Sequence, residues 1–242
     1  MYGIYHIPLA FKENGINLTI EKKDGGIQYL RDGGEKKVEK VLLAKDCYVL
    51  VNPVEPLHTP KDLTPYLLIE FGKKLVLEPR GSSRIYLKFS AEIGIFAGRS
   101  EKNTKDFRII DIVSTDPGKY TLYGDVRTGI LCKYYKSDIY MAMPRVVPLM
   151  EGIIELHIEN KSDRWTEISM AVFNAYLMKI YYNKDKMGMK ASMSIIDKDI
   201  AETSFSDSPL HKGMKKAVEH YVSRGIIMTS SNFVMEWGYN AQ

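Results

Sequence analysis

This chain predicts an all-β fold, antiparallel and sandwich-like, with one late amphipathic helix, and three observations carry the prediction. Strand-like apolar runs restart roughly every ten residues between Lys40 and Ile196. Clusters of Gly, Pro, Asn and Asp punctuate them. Inside several runs the apolar side chains recur with period two: Ile154, Leu156 and Ile158 alternate with Glu155, His157 and Glu159, as a half-buried antiparallel strand requires.

Taken in order, Ile4 to Ile20 holds short apolar pieces in which Asn14-Gly15 supplies a two-residue hairpin turn. Lys22 to Lys40, with Asp24-Gly25-Gly26 and Asp32-Gly33-Gly34, reads as surface loops around one short strand. Val41–Ala44 and Tyr48–Val51 look paired. The run Asn52 to Pro60 contains Pro53, Pro56 and Pro60; it cannot donate a regular ladder and predicts an extended connection or a sheet edge. Strands are expected over Tyr66–Phe71 and Leu75–Glu78, joined through Gly72-Lys73-Lys74, then over Ile85–Phe89, Ile93–Phe96, Phe107–Val113, Tyr120–Tyr123, Ile130–Tyr135 and Ile139–Met143. Pro144 and Pro148 bracket a seam. It divides the chain into β units 1–145 and 146–242, unless the whole is a single compact domain. Past Glu151 the alternation resumes through Ile168–Val172, Leu177–Tyr182 and Met189–Ile195. Ser208 as N-cap, Pro209 at the first helical position and the stripe Leu210, Met214, Ala217, Val218, Tyr221 and Val222 predict a helix over about 208–224.

Bulk numbers narrow the class. With 45% hydrophobic and 26% charged residues in 242, the chain has the composition of a folded globular protein. No apolar run reaches the roughly 18 residues of a membrane span. The 34 basic and 30 acidic residues are interleaved, so the net charge of +4 steers weakly and leaves no nucleic-acid footprint. Cys47 and Cys132 sit in apolar runs and read as buried thiols of a reducing compartment. The start of the chain has no basic, then apolar, export pattern, so the cytoplasm is the expected location.

Six phrases together resemble an uncharacterised archaeal protein family, known only as a domain of unknown function. They are Pro53-Val54-Glu55-Pro56, Tyr66-Leu67-Leu68-Ile69-Glu70-Phe71, Glu92-Ile93-Gly94-Ile95, Lys119-Tyr120-Thr121-Leu122-Tyr123-Gly124, Glu202-Thr203-Ser204-Phe205 and Met235-Glu236-Trp237-Gly238. The resemblance spans nearly the whole chain and implies one family rather than a fusion. It also implies an archaeal, cytoplasmic origin, and it brings no activity, cofactor or catalytic residue.

Three constellations qualify as candidate sites. Tyrosines concentrate at Tyr120, Tyr123, Tyr134, Tyr135 and Tyr140, with Tyr181 and Tyr182 further on; on an open sheet face such rings stack ligands or anchor a partner. Strands favour Tyr in any case, so core or edge packing explains the same cluster. Arg80, Ser82, Ser83 and Arg84 around Gly81 could grip an anion, although the loop opens a strand, where a plain hairpin turn accounts for it. Glu155, His157 and Glu159 share one face and could ligate a divalent metal, against the plain alternative of a solvated polar row. Asp197 and Asp199 close a strand as turn residues. His211 and His220, nine positions apart on the expected helix, would face opposite sides.

No nucleophile elbow, phosphate loop, zinc spacing or dinucleotide fingerprint is present. The expected function is therefore non-catalytic binding or scaffolding, without a cofactor, of a protein or small molecule held against the Tyr-rich strands or in the crease between β units. A metal-dependent enzyme using Glu155, His157 and Glu159 is the rival. Exposed sheet edges would favour a homodimer.

Overall fold

A computed structural model describes the chain apart from residues 34–35, 60, 104–105, 198, 221–231, 237–238 and 242. Its described residues form four β-sheets. The first runs in the order β1 (Gly3–His6), β6 (Tyr48–Val54), β9 (Glu92–Gly98), β10 (Arg108–Ser114). A meander, β2 (Leu9–Glu13) through β3 (Ile16–Lys23) and β4 (Gly26–Asp32) to β5 (Val38–Leu42), makes a second. The third places β11 (Lys119–Tyr123), β12 (Ile130–Ser137), β7 (Tyr66–Leu77), β14 (Thr166–Asn174) and β20 (Tyr239–Ala241) side by side. In the fourth, β18 (Lys215–Lys216), β15 (Tyr181–Tyr182), β16 (Met187–Asp197), β13 (Glu151–Asn160) and β8 (Ser82–Ser90) follow one another, with β17 (Ile200–Ser206) paired to β16 and β19 (Phe233–Met235) to β17. Pairing is antiparallel except between β12 and β7 and between β13 and β16.

Period-two patterning determines which side is sealed. On β13, Ile154, Leu156 and Ile158 are buried while His157 and Glu159 face out, and each buried aliphatic side chain contributes about 1.5–3 kcal/mol. The meander is joined to the first sheet by polar contacts, Tyr29 Oη and Arg31 Nε both donating to Asp111 Oδ2 at 2.5 Å. The third sheet meets the fourth where β14 lies against β17: Phe173 and Phe205 rings are 5.1 Å apart and Thr203 donates to the Val172 carbonyl at 2.5 Å. One buried apolar cluster runs through all four sheets, from Ile16 and Val51 to Leu67, Ile154 and Met193. Strands from either side of residue 145 pair directly, β7 with β14 and β8 with β13.

The Asn14-Gly15 turn is present, with φ of 48° and 79° as a two-residue hairpin needs. Elsewhere the structure departs from expectation for identifiable reasons. The region 22–40 contributes two strands of the meander, because Ile27, Tyr29 and Arg31 all turn inward. Pro53 lies inside β6, but β1 pairs only with residues 48–51, so the missing N–H disturbs no ladder on that side. Gly72-Lys73-Lys74 does not end a strand; β7 runs straight through, and its pairing with β14 shifts register between Ile168 and Met170. Ile139–Met143 makes only a bridge, Tyr140 to Tyr86.

Over the described residues 208–219 the expected late helix is absent. Within the expected span, Lys215 and Lys216 form β18 against Tyr182 and Tyr181, Ala217 N donates to the Ile180 carbonyl, and residues 221–224 lie outside the described residues. Tertiary pairing and the burial of Met214 and Ala217 override a local helical preference worth only tenths of a kcal/mol per residue. Among the described residues no helix is long and apolar enough to cross a membrane.

Candidate functional site

Chain geometry creates a junction of three sheets. β8 ends at Ser90 and β9 begins at Glu92, so the chain bends at Ala91 from the fourth sheet into the first, while β12 of the third sheet passes alongside. At this junction lies an open cavity of about 280 Å³ lined by Lys88, Ser90, Asp116, Lys119, Tyr134, Tyr135, Lys136 and Glu151.

The cavity is polar and rich in cations. Lys88 pairs with Glu151 at 3.1 Å and sits 5.7 Å from the centre of the Tyr140 ring. Lys136 pairs with Glu70 at 3.4 Å, and Tyr134 donates its hydroxyl to the same carboxylate at 2.9 Å. Burial and this carboxylate raise the Tyr134 hydroxyl above the ordinary tyrosine value. Asp116 accepts from Ser90 Oγ and from Gly118 N, so its oxygens are engaged. Lys119 has no acidic partner among the described residues.

Directly beneath lies a buried charged cluster, with Tyr135 as the shared wall. Lys133 Nζ is 6.0 Å from the Tyr135 ring centre and 5.4 Å from that of Tyr120. Glu92 and Lys133 are both fully buried, their charged ends 4.0 Å apart. Glu92 also accepts from the backbone N–H of His58 at 2.8 Å, that of Thr59 at 2.9 Å, and from His58 Nδ1 at 2.9 Å. Gly118 makes room for the lysine: at φ 65° it adopts a left-handed backbone, and a Cβ there would lie 2.1 Å from Lys133 Nζ. The His58 ring meets that of His220 edge-on at 5.0 Å. Glu55, 2% exposed, completes the group, and burial pushes its carboxyl up to about 7.

The residues singled out in the sequence divide accordingly. Tyr134 and Tyr135 reach the cavity, Tyr140 flanks it through Lys88, and Tyr120 stacks on Lys133. Tyr123 and Tyr135 are buried, so their rings are core as well as wall. The Arg80 loop is spent on the fold: Gly81 N donates to the Glu78 carbonyl, Arg80 pairs with Asp163 at 2.8 Å, and Ser82 and Ser83 lie in the β8 ladder. Along β13, Glu155 faces Arg84 and Lys190, each at 3.9 Å, and Glu159 faces Lys161 at 3.5 Å. Cations thus occupy the row where further ligands would have to stand. No group of three or more His, Cys, Asp or Glu among the described residues is placed to hold a metal ion. His220, expected on the late helix, stands beside His58.

Sequence reasoning passed over Glu55, Glu92 and Lys133. Their signal was available: each is a charge inside or bordering a strongly apolar strand run, a place where a charge survives only with partners.

A family model described as "Protein of unknown function (DUF432)" matches residues 1–236. No curated protein and no solved structure matches the chain. The chain belongs to the DUF432 family, which spans nearly its whole length.

Proposed function

We propose that this DUF432 member is a non-catalytic binding protein that takes a small anionic molecule into the cavity between β8, β12 and the start of β11. One observation carries the reading: Lys88, Lys119, Lys136 and Tyr134 line one concave site, and Lys119 has no acidic partner among the described residues. A carboxylate or phosphoryl group would meet Lys119 without displacing an existing ion pair, while an apolar or aromatic portion would lie along Tyr134. With two of the three ammonium groups already paired to Glu151 and Glu70, the reading favours a ligand of low charge over a polyphosphate chain. The same pairing, together with the interleaved surface charge, speaks against nucleic acid.

The cytoplasm is part of this proposal, supported by two cysteines that are buried and free, as is the archaeal origin that the six sequence phrases imply. Self-association into a homodimer belongs to it too. β11 ends its sheet, and its Leu122 pairs across to Leu131 of β12, both about two-fifths exposed. A metal-dependent enzyme on Glu155, His157 and Glu159 is the weaker reading, because Arg84, Lys190 and Lys161 hold those carboxylates.

The test is calorimetric titration against a panel of small mono- and dianionic acids, with thermal shift as the screen. Lys119→Ala should weaken binding of any hit by about tenfold while leaving the melting temperature within a degree or two. A hit whose affinity is indifferent to both Lys119→Ala and Tyr134→Ala would place the ligand elsewhere and end the reading.

A further inference from the structure

We infer that the segment Ala217–His220 is a proton-controlled latch, docked on the end of β6 by Asn52 and Glu55, whose release uncovers the apolar outer face of the first sheet. The docking is specific. Val218 N donates to Asn52 Oδ1 at 3.0 Å and Asn52 Nδ2 donates back to the Val218 carbonyl at 3.2 Å, so one buried amide grips both backbone groups of a single residue. Two positions on, the backbone N–H of His220 donates to the Glu55 carboxylate. Beneath this clamp the Val218 side chain packs, with Ile4, Tyr48, Ile109 and Ile112, against Leu50, Val54, Phe96 and Phe107, a buried group separate from the main core. Lifting the segment therefore withdraws Val218 from this patch, and of the main core it takes Ala217 alone, with the bond from its N–H to the Ile180 carbonyl.

Glu55 makes the clamp sensitive to protons. Its Oε2 has no hydrogen-bond partner among the described residues although the residue is 2% exposed, so an ionised carboxylate there is incompletely satisfied. The groups facing it act in opposite directions. From the loop after β6, His58 favours the charged form; from the latch, Glu219 opposes it while the His220 N–H supports it. Further out, Glu92 faces His58 and is in turn faced by Lys133, and Lys179 and Lys216 hold Glu219 at 2.9 and 3.0 Å. Burial outweighs the rest and places the docked carboxyl at about 7, against an ordinary value of 4.5 once water reaches it. The sign follows. A raised acid favours the docked state most fully below the ordinary carboxylate range, and that preference fades as pH rises through about 7. Between pH 5 and pH 8 the docking equilibrium should fall on the order of fifty-fold.

Hydrogen exchange read by mass spectrometry on peptides covering residues 214–220, corrected for intrinsic exchange chemistry, tests this on the full chain. Protection of the 217, 218 and 220 amides should drop by tens of fold from pH 5 to pH 8 in the native protein. Glu55→Gln, with no carboxylate to bury, should hold protection constant over that range. Asn52→Ala should lower it at every pH and keep the slope. A flat profile in the native chain would overturn the inference by itself, whether or not a variant folds. An unchanged slope in Glu55→Gln, or unchanged protection in Asn52→Ala, would overturn it equally.

Discussion

Glu92 is the residue whose loss should cost most. It stands where the chain turns from β8 into β9, and it accepts three hydrogen bonds, at 2.8, 2.9 and 2.9 Å, while facing the buried Lys133 ammonium at 4.0 Å. Glu92→Ala removes the carboxylate that accepts from the partly buried His58 and Thr59 amides, each such bond worth about 1–1.5 kcal/mol. It also deprives Lys133 of this carboxylate, and breaking a buried ion pair by removing one partner costs about 3–5 kcal/mol. Because these terms overlap in one network, they do not add in full, and a total near 5 kcal/mol is expected. Urea unfolding should register that loss directly, and a chain of this size should melt roughly 10–20 °C lower. Lys133→Met should behave differently. Glu92 keeps its three N–H donors, so the loss should stay near 1–2 kcal/mol, and the double variant should be more stable than Glu92→Ala alone by about 2 kcal/mol, since the buried ammonium that lost this carboxylate is then gone as well. The reasoning fails if Glu92→Ala unfolds within 1 kcal/mol of the native chain, or if the double variant is no better than the single one.

Two further outcomes follow from burial. Tyr135→Ala should destabilise by about 3–5 kcal/mol, as removal of a buried ring does, whereas Tyr134→Ala, at the cavity rim, should cost under about 1.5 kcal/mol; comparable losses in chemical denaturation would contradict the division of the two rings between core and rim. Burial pushes the Cys132 thiol up to about 12, so at pH 8 it should resist a thiol-reactive dye in the native chain and react at once in denaturant, and stoichiometric native labelling would refute its placement.

What the sequence disclosed, and what it concealed, follows from the range over which each signal acts. Alternation on β13 and the Asn14-Gly15 turn are local properties of the chain, so they could be read correctly from a few residues. The helix expected over 208–224 was a local signal too, yet two residues of β18 and one amide clamp redirect the segment, because their partners at 181–182 and 52 lie far away in sequence. The Tyr cluster led toward the cavity but did not separate Tyr134 from Tyr135, whose fates differ only through which side of β12 faces Lys133. The charged cluster was hidden for a similar reason: Glu55, Glu92 and Lys133 are each a single charge among apolar neighbours. Only the β8–β9 bend and the parallel register of β12 on β7 bring them to one junction.

That junction also suggests why costly buried charges lie beneath an open cavity. A pocket open to water between sheets needs walls that stay in place when empty, and apolar packing alone leaves rings free to change rotamer. Here the Lys133 ammonium is held between the rings of Tyr120 and Tyr135, Glu92 fixes the loop at His58 and Thr59, and Asp116 pins Gly118 against Lys133. Of these groups Tyr135 and Asp116 line the cavity itself and the rest lie behind them, and none of the contacts uses Lys119 or the Tyr134 ring. On the binding reading, stability and recognition are therefore divided between two layers: the buried layer fixes geometry, and the layer above it is left to meet the ligand.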